Sequence, residues 1–358
     1  MRRWWIRCLV LGIGMALGHG QARAQEPLAT FGALPTTLPA EGEKKNLPKD
    51  HKDHKDQKDH KDHKDGHDGH DGHGDHKHEE PPDLGLRGFL TTGWDEKFEE
   101  RHREGKAPRF NLFKTRQGFL ERVVDFNYIF TSRADRGRFD EHEGSIGIEY
   151  AVNRRFELDL EPLYTWKAGR NGRPSQDGLR WDTGARFQLI DTADTAINFQ
   201  LRVLTPNSRL DERQTTLGFV FAGFNDLTSK GLCRMGLYYH FEYQSLLGPR
   251  GEEPEAEGLP PGQRPSGRIT YSAALAKTLV EPKVPLFGDF TVFVESFGST
   301  DLNGSRSGQT YFSFTPGVRT NLTGREEKAW WLQTGFEIPV TRQRSNDMGF
   351  RISLIRDF

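Results

Sequence analysis

Between Phe156 and Trp166 the chain alternates. Phe156, Leu158, Leu160, Pro162, Tyr164 and Trp166 fall on one side of an extended strand, and Glu157, Asp159, Glu161 and Thr165 fall on the other. Residues 178–190 repeat the pattern, with Leu179, Trp181, Ala185, Phe187 and Leu189 set against Arg180, Asp182, Arg186 and Gln188. Residues 231–244 do so again, with Cys233, Met235, Leu237, Tyr239, Phe241 and Tyr243 opposite Arg234, His240, Glu242 and Gln244. Followed to the end of the chain, this period of two predicts strands at 119–131, 143–152, 155–166, 178–190, 195–205, 215–224, 231–244, 267–279, 287–297, 309–320, 329–341 and 347–358. Segments 215–224 and 287–297 alternate poorly.

A soluble sandwich alternates too, because one face of each sheet meets the core and the other meets water. Three features favour a barrel in a membrane. Aromatic residues (Tyr128, Phe130, Tyr164, Trp166, Trp330) stand near strand ends, as interfacial girdles require. The connections are longer after odd-numbered strands and mostly shorter after even ones, except at 342–346. Finally, the chain finishes on a strand whose apolar side carries Phe350, Ile352, Leu354 and the terminal Phe358. That ending resembles the signal by which bacterial outer-membrane barrels are passed to their assembly machinery, although Arg356 departs from it. The expected fold is all-β: a membrane-spanning antiparallel β-barrel of about 12 strands over residues 119–358, with both ends in the periplasm and its outer face against outer-membrane lipid.

The start of the chain fits export. Three arginines (Arg2, Arg3, Arg7), an apolar run from Cys8 to Leu17, and Ala22-Arg23-Ala24 read as a signal peptide over 1–24. No later stretch approaches the roughly 20 apolar residues of a spanning helix. Four arginines leave with the signal, so 46 basic residues remain against 51 acidic ones, which makes nucleic acid a poor partner. Cys233 is then the lone cysteine; it can form no internal disulfide and is expected to be buried or to face lipid. Residues 25–50 read as a linker, and 51–80 as a disordered run without one apolar side chain. Residues 81–118 read as a periplasmic lead-in, with a candidate amphipathic helix at 94–104.

The stretches "FTPGVRTNL" (314–322), "WWLQTGFEIPVT" (330–341) and "GFRISLIRDF" (349–358) resemble the outer-membrane barrel family labelled for the MetA pathway of phenol degradation. The resemblance covers the last three strands and implies a transporter-like barrel for small solutes, with no substrate or catalytic residue to carry over.

Twelve strands lie between a barrel filled by side chains and one with a wide water channel, so any pore is expected to be narrow. The inward candidates are Glu149, Glu157, Asp159, Glu161, Arg180, Asp182, Arg186 and Arg202, with Asp159 expected near Arg186 and Asp182 near Arg202. They read either as a charged constriction that selects solutes or as a salt-bridged filling that closes the barrel. Twelve-stranded outer-membrane phospholipases are the enzymatic rival. Their His and Ser share the outward side of a strand, whereas His142 and Ser145 in "HEGS" are three apart and face opposite sides, so no catalytic residue is assigned and His142 reads as a loop residue. No cofactor is required. His51, His54, His60, His63, His67, His70, His73, His76 and His78 give the run 51–80 the ligands for Zn, Ni or Cu, or make it a solvated spacer. The oligomeric state is not legible.

Overall fold

The computed structural model describes residues 81–99, 105–172, 174–206, 215–247, 266–280, 284, 286–303, 307–324, 328–341 and 346–358. The signal peptide, the linker and the histidine run lie outside them.

Twelve antiparallel strands close into a barrel: β1 (Arg122–Arg133), β2 (Phe139–Ala151), β3 (Phe156–Gly169), β4 (Gln176–Asp191), β5 (Thr195–Leu204), β6 (Thr215–Asp226), β7 (Met235–Leu247), β8 (Gly267–Thr278), β9 (Gly288–Asp301), β10 (Thr310–Asn321), β11 (Trp330–Pro339) and β12 (Met348–Asp357). Each pairs with its sequence neighbour, and β1 closes on β12 from Val123 opposite Asp357 to Ser132 opposite Met348. Closure leaves no strand edge unpaired, as a sheet in hydrocarbon needs. A helical turn, α1 (Ala134–Gly137), joins β1 to β2. The proximal end is taken here as the one where β1 starts and β12 finishes; the distal end is the other.

The alternation is turned inside out relative to a soluble protein. Leu158, Leu160, Phe221, Phe241, Leu275, Val294 and Phe336 stand exposed on the outer wall, while Glu157, Arg186, Gln200, Glu242 and Glu295 are buried inside. An apolar band running around the whole wall is far larger than the patches soluble monomers expose, and it suits lipid. Among the described residues no helix is long and apolar enough to cross a membrane; the strands make the crossing.

At the terminal strand, Phe350 and Phe336 lie side by side on the outer wall (5.2 Å between centroids), and Phe358 stacks on Tyr150 at 6.4 Å. Arg356 lays its guanidinium over the Trp330 ring at 5.0 Å, at the proximal rim. A cation on an aromatic face near the membrane edge accounts for the residue that departs from the ending's apolar pattern.

Several expectations need correction. β1 begins at Arg122, not Phe119, because Phe119 turns inward onto Phe224 (5.7 Å, edge to face) and Leu120 is buried with it. β7 begins at Met235, and Cys233 sits exposed in the β6–β7 turn instead of facing lipid. His142 is a strand residue: on the outer wall of β2 it stacks on Trp166 (4.9 Å) and meets the Tyr128 hydroxyl at 2.7 Å through Nδ1. Residues 94–99 form no helix, and the described part of 81–118 does not hang free of the barrel.

Candidate functional site

Residues 81–99 lie across the proximal end. Leu84 exchanges both backbone hydrogen bonds with Asp191 at the end of β4 (2.8 and 2.9 Å). In the β2–β3 turn, Arg155 gathers the segment's carbonyls: Nε donates to Thr92 O at 2.7 Å and Nη2 to Gly85 O at 3.2 Å, while Nη1 donates to Gln188 O at 2.8 Å. Burial pushes the Arg155 guanidinium down from its usual value, with the neighbouring Arg154 charge as the next cause.

From Lys106 the chain turns into the lumen and runs through its proximal half to Glu121. Backbone placed there has no strand to pair with, so side chains of the wall must satisfy it. Glu295 of β9 takes three consecutive amides, Phe113 N at 3.2 Å, Lys114 N at 3.0 Å and Thr115 N at 2.9 Å. His240 Nδ1 of β7 accepts from Arg116 N at 3.1 Å. Asn198 donates to Gln117 O at 2.9 Å, Gln188 donates to Gly118 O at 2.9 Å, and Glu157 accepts from Glu121 N at 2.6 Å. Around these bonds Phe110 and Phe119 pack with Phe224, Tyr238 and Phe293 of the wall and with Ala196, Ala274 and Ala276, giving an apolar core between the plug and strands β5 to β9. Arg319 is clamped between the Phe110 ring (4.6 Å) and the Trp331 ring (4.0 Å).

A cavity of about 450 Å³ lies in the lumen over residues 111–117 and extends beside them to Gln333, Ser353 and Ile355 in the proximal half. Its wall is charged. Arg202 of β5 meets Asp182 of β4 through Nε at 2.7 Å and reaches Glu242 at 3.4 Å. Arg180 pairs with Glu143 at 2.9 Å. Arg351 and Lys114 converge on Glu337. Lower down, at the level of the plug, Arg186 bridges Glu157 (2.6 Å) and Glu149 (2.8 Å), all three nearly or fully buried.

All eight inward candidates do face the lumen. Asp182 and Arg202 pair as expected; Asp159 and Arg186 do not. In the strand register Arg186 stands opposite Glu157 and Asp159 opposite Gly184, one pair further along, so Asp159 accepts instead from Gln200 Nε2 at 2.8 Å. Among the described residues, Asp125, Asp159 and Glu161 have no cation within ion-pair distance. Asn127 donates to Asp125, and Ser145 donates to Glu161. Sequence reasoning missed the plug and its receptors, Glu295, Glu337, Arg319 and Arg351. A stretch rich in aromatic and basic residues just before the first strand, and two strands with apolar inner faces, were the available signals.

Ser145 faces inward and His142 outward, so they cannot act together. A different Ser–His contact exists: Ser272 Oγ lies 2.8 Å from His240 Nδ1. That nitrogen already accepts from the plug amide, and Ser272 also donates to Thr115 Oγ1 at 3.0 Å, so the pair docks the plug. Among the described residues no group of three or more His, Cys, Asp or Glu is placed to hold a metal.

No protein-family model and no curated protein matches the chain, so the resemblance of its last strands to the phenol-pathway barrels gains no support from either. Among solved structures it is similar to the KdgM porin (9% identity, TM-score 0.43, covering 66% of this chain and 99% of that one) and to the COG4313 outer membrane channel from Pseudomonas putida F1 (12%, 0.46, 73% and 100%). It is also similar to outer membrane phospholipase A from Escherichia coli (12%, 0.34, 70% and 94%). Channels and an enzyme stand together at these values, so the likeness is one of barrel architecture.

Proposed function

We propose that this chain is an outer-membrane pore for small polar solutes, closed at rest by its own segment 105–121. The observation that carries the reading is the mode of attachment of that segment: it is held inside the barrel by side chains such as Glu295, His240 and Asn198, and its backbone bond to a strand lies at its end, where Glu121 O accepts from Ala151 N at 3.0 Å. Such a segment can leave its seat without breaking the barrel wall. The cavity against it is lined by polar and charged side chains.

The apolar outer wall and the aromatic rims support an outer-membrane location, and on this reading the proximal end faces the periplasm and the barrel machinery assembles the chain. The unpaired Asp125, Asp159 and Glu161 give the vestibule a preference for cations. The histidine run precedes the plug in sequence, and on this reading it gathers Zn, Ni or Cu on the periplasmic side.

A second reading is favoured by the Phe110, Phe224, Tyr238 and Phe293 core: a permanently closed barrel that serves as a structural or surface element. Planar-bilayer recordings separate the two. The pore reading expects brief, small openings from the intact protein and sustained openings once residues 106–117 are removed. Silence from the intact protein, shown to be folded by heat-modifiable gel migration, favours the closed barrel whether or not the deletion variant conducts.

A further inference from the structure

Wall side chains hold part of the plug backbone between residues 113 and 121, and buried polar atoms without a partner remain on several strands around it, one group of them on β11 and β12. Asn111 of the plug has neither amide atom bonded, and Gln333 Oε1 of β11, Ser353 Oγ of β12 and the Arg351 Nε are also without a partner. Gln333 is 1% exposed and Ser353 3%, and both line the cavity together with Asn111 and Asn127. The register explains why they meet: Asn127, Ser353 and Gln333 stand directly opposite one another on three adjacent strands. Leaving so many buried groups unpaired is costly, and native structures that do so usually have a use for them.

The chemistry of these groups defines what would satisfy them. Asn111 offers a donor and an acceptor, Gln333 an acceptor, and Ser353 both; none of the three carries charge. Groups that donate and accept at the same point are hydroxyls. Of the charged neighbours, Arg351 bonds Glu337 at 3.3 Å and Asp125 accepts from Asn127 at 3.0 Å, so a cation drawn to Asp125 is the competing occupant. Leu112, Ile129 and Ile355 give the same corner apolar surface for C–H faces.

We propose that the corner formed by Asn111, Asn127, Gln333 and Ser353 is a binding site for an uncharged, multiply hydroxylated solute such as a sugar or polyol. The site deepens the reading of the lumen as a solute path and rests on it for its purpose, but binding is measurable whether or not current flows.

The test is titration calorimetry on the full chain in lipid nanodiscs, with maltose and glycerol as uncharged probes, galacturonate as an anionic one and putrescine as a cationic one. The expected result is heat from maltose that exceeds the response to both charged probes, with affinity falling at least tenfold in Gln333→Leu and in Ser353→Ala. Because Gln333→Leu could disturb the barrel, the ranking of probes on the unaltered protein is a second criterion. No response to either uncharged probe, or a stronger response to galacturonate or putrescine, overturns the proposal. Maltose binding without conductance leaves the site standing and removes the pore; conductance without maltose binding does the reverse.

Discussion

Gly184 on β4 stands opposite Asp159 on β3, and the carboxylate folds flat over the glycine, so that a methyl group added there would run into it. Gly147 opposite Asp125 and Gly349 opposite Glu337 repeat the arrangement. Acids on the lumen wall thus lie against the backbone, which keeps the vestibule open. Gly184→Ala is expected to push Asp159 off the wall and to cost about 1–3 kcal/mol through overpacking. The shift of the urea midpoint in lipid vesicles measures the cost, and Asp159→Gly in the same background is expected to recover most of it. Full stability of the single variant would show that the carboxylate moves freely.

The Arg186 cluster is a buried ion-pair network inside the barrel wall. Arg186→Met leaves Glu149 and Glu157 buried without their cation, and removing one partner of a buried ion pair costs about 3–5 kcal/mol. The loss is read from the same unfolding transition. An additional Glu157→Gln change is expected to return part of the stability, and a double variant no better than the single one contradicts the pairing.

The two faces of the wall differ in tolerance. Arg at Phe241, at the middle of β7 on the outer face, is expected to cost about 2–4 kcal/mol in a bilayer, while Arg at Gln244, which lines the cavity, is expected to be near neutral. Equal costs at both positions would remove the case for lipid on one side and water on the other.

Much of the barrel was legible because β3, β4 and β7 carry charge on one face and aromatics on the other, and lipid outside with polar side chains inside leaves that imprint. Segments 215–224 and 287–297 read poorly for a physical reason. On β6 the inward Val220, Ala222 and Phe224 make both faces apolar, and on β9 the inward Phe293 breaks the polar row of Thr291 and Glu295; Phe224 and Phe293 pack on the plug. The plug itself, residues 105–121, has no period to betray it: it is neither helix nor strand, and its order comes from partners such as Glu295, 180 residues away from Thr115. Charge pairing was legible only to within one register step, which is why Asp182 found Arg202 but Arg186 found Glu157.

Selectivity follows from the three acids without a cation. In protein freed of residues 106–117, the double change Asp159→Asn and Glu161→Gln is expected to reduce cation over anion permeability several-fold, as charged lumen rings do. The reversal potential in a salt gradient reports it. An unchanged potential would place the selecting charges elsewhere.

The histidine run has its own test. Imidazole binds metal only when unprotonated, so Zn or Ni affinity of the full chain is expected to fall as pH drops through about 6.5, and to vanish on deletion of residues 51–80. Calorimetry at pH 7.5 and 5.5 measures both. No metal heat at the higher pH reduces the run to a spacer.

The central claim is that segment 105–121 gates the lumen, and a reversible lock tests it most directly. Thr115 Oγ1 and Ser272 Oγ are 3.0 Å apart, so Thr115→Cys with Ser272→Cys, in a Cys233→Ser background, can tie the plug to β8. The measurement is bilayer conductance of this one protein before and after reduction. The account predicts silence while the disulfide is closed and gated current once it is reduced; equal current in both states would contradict it.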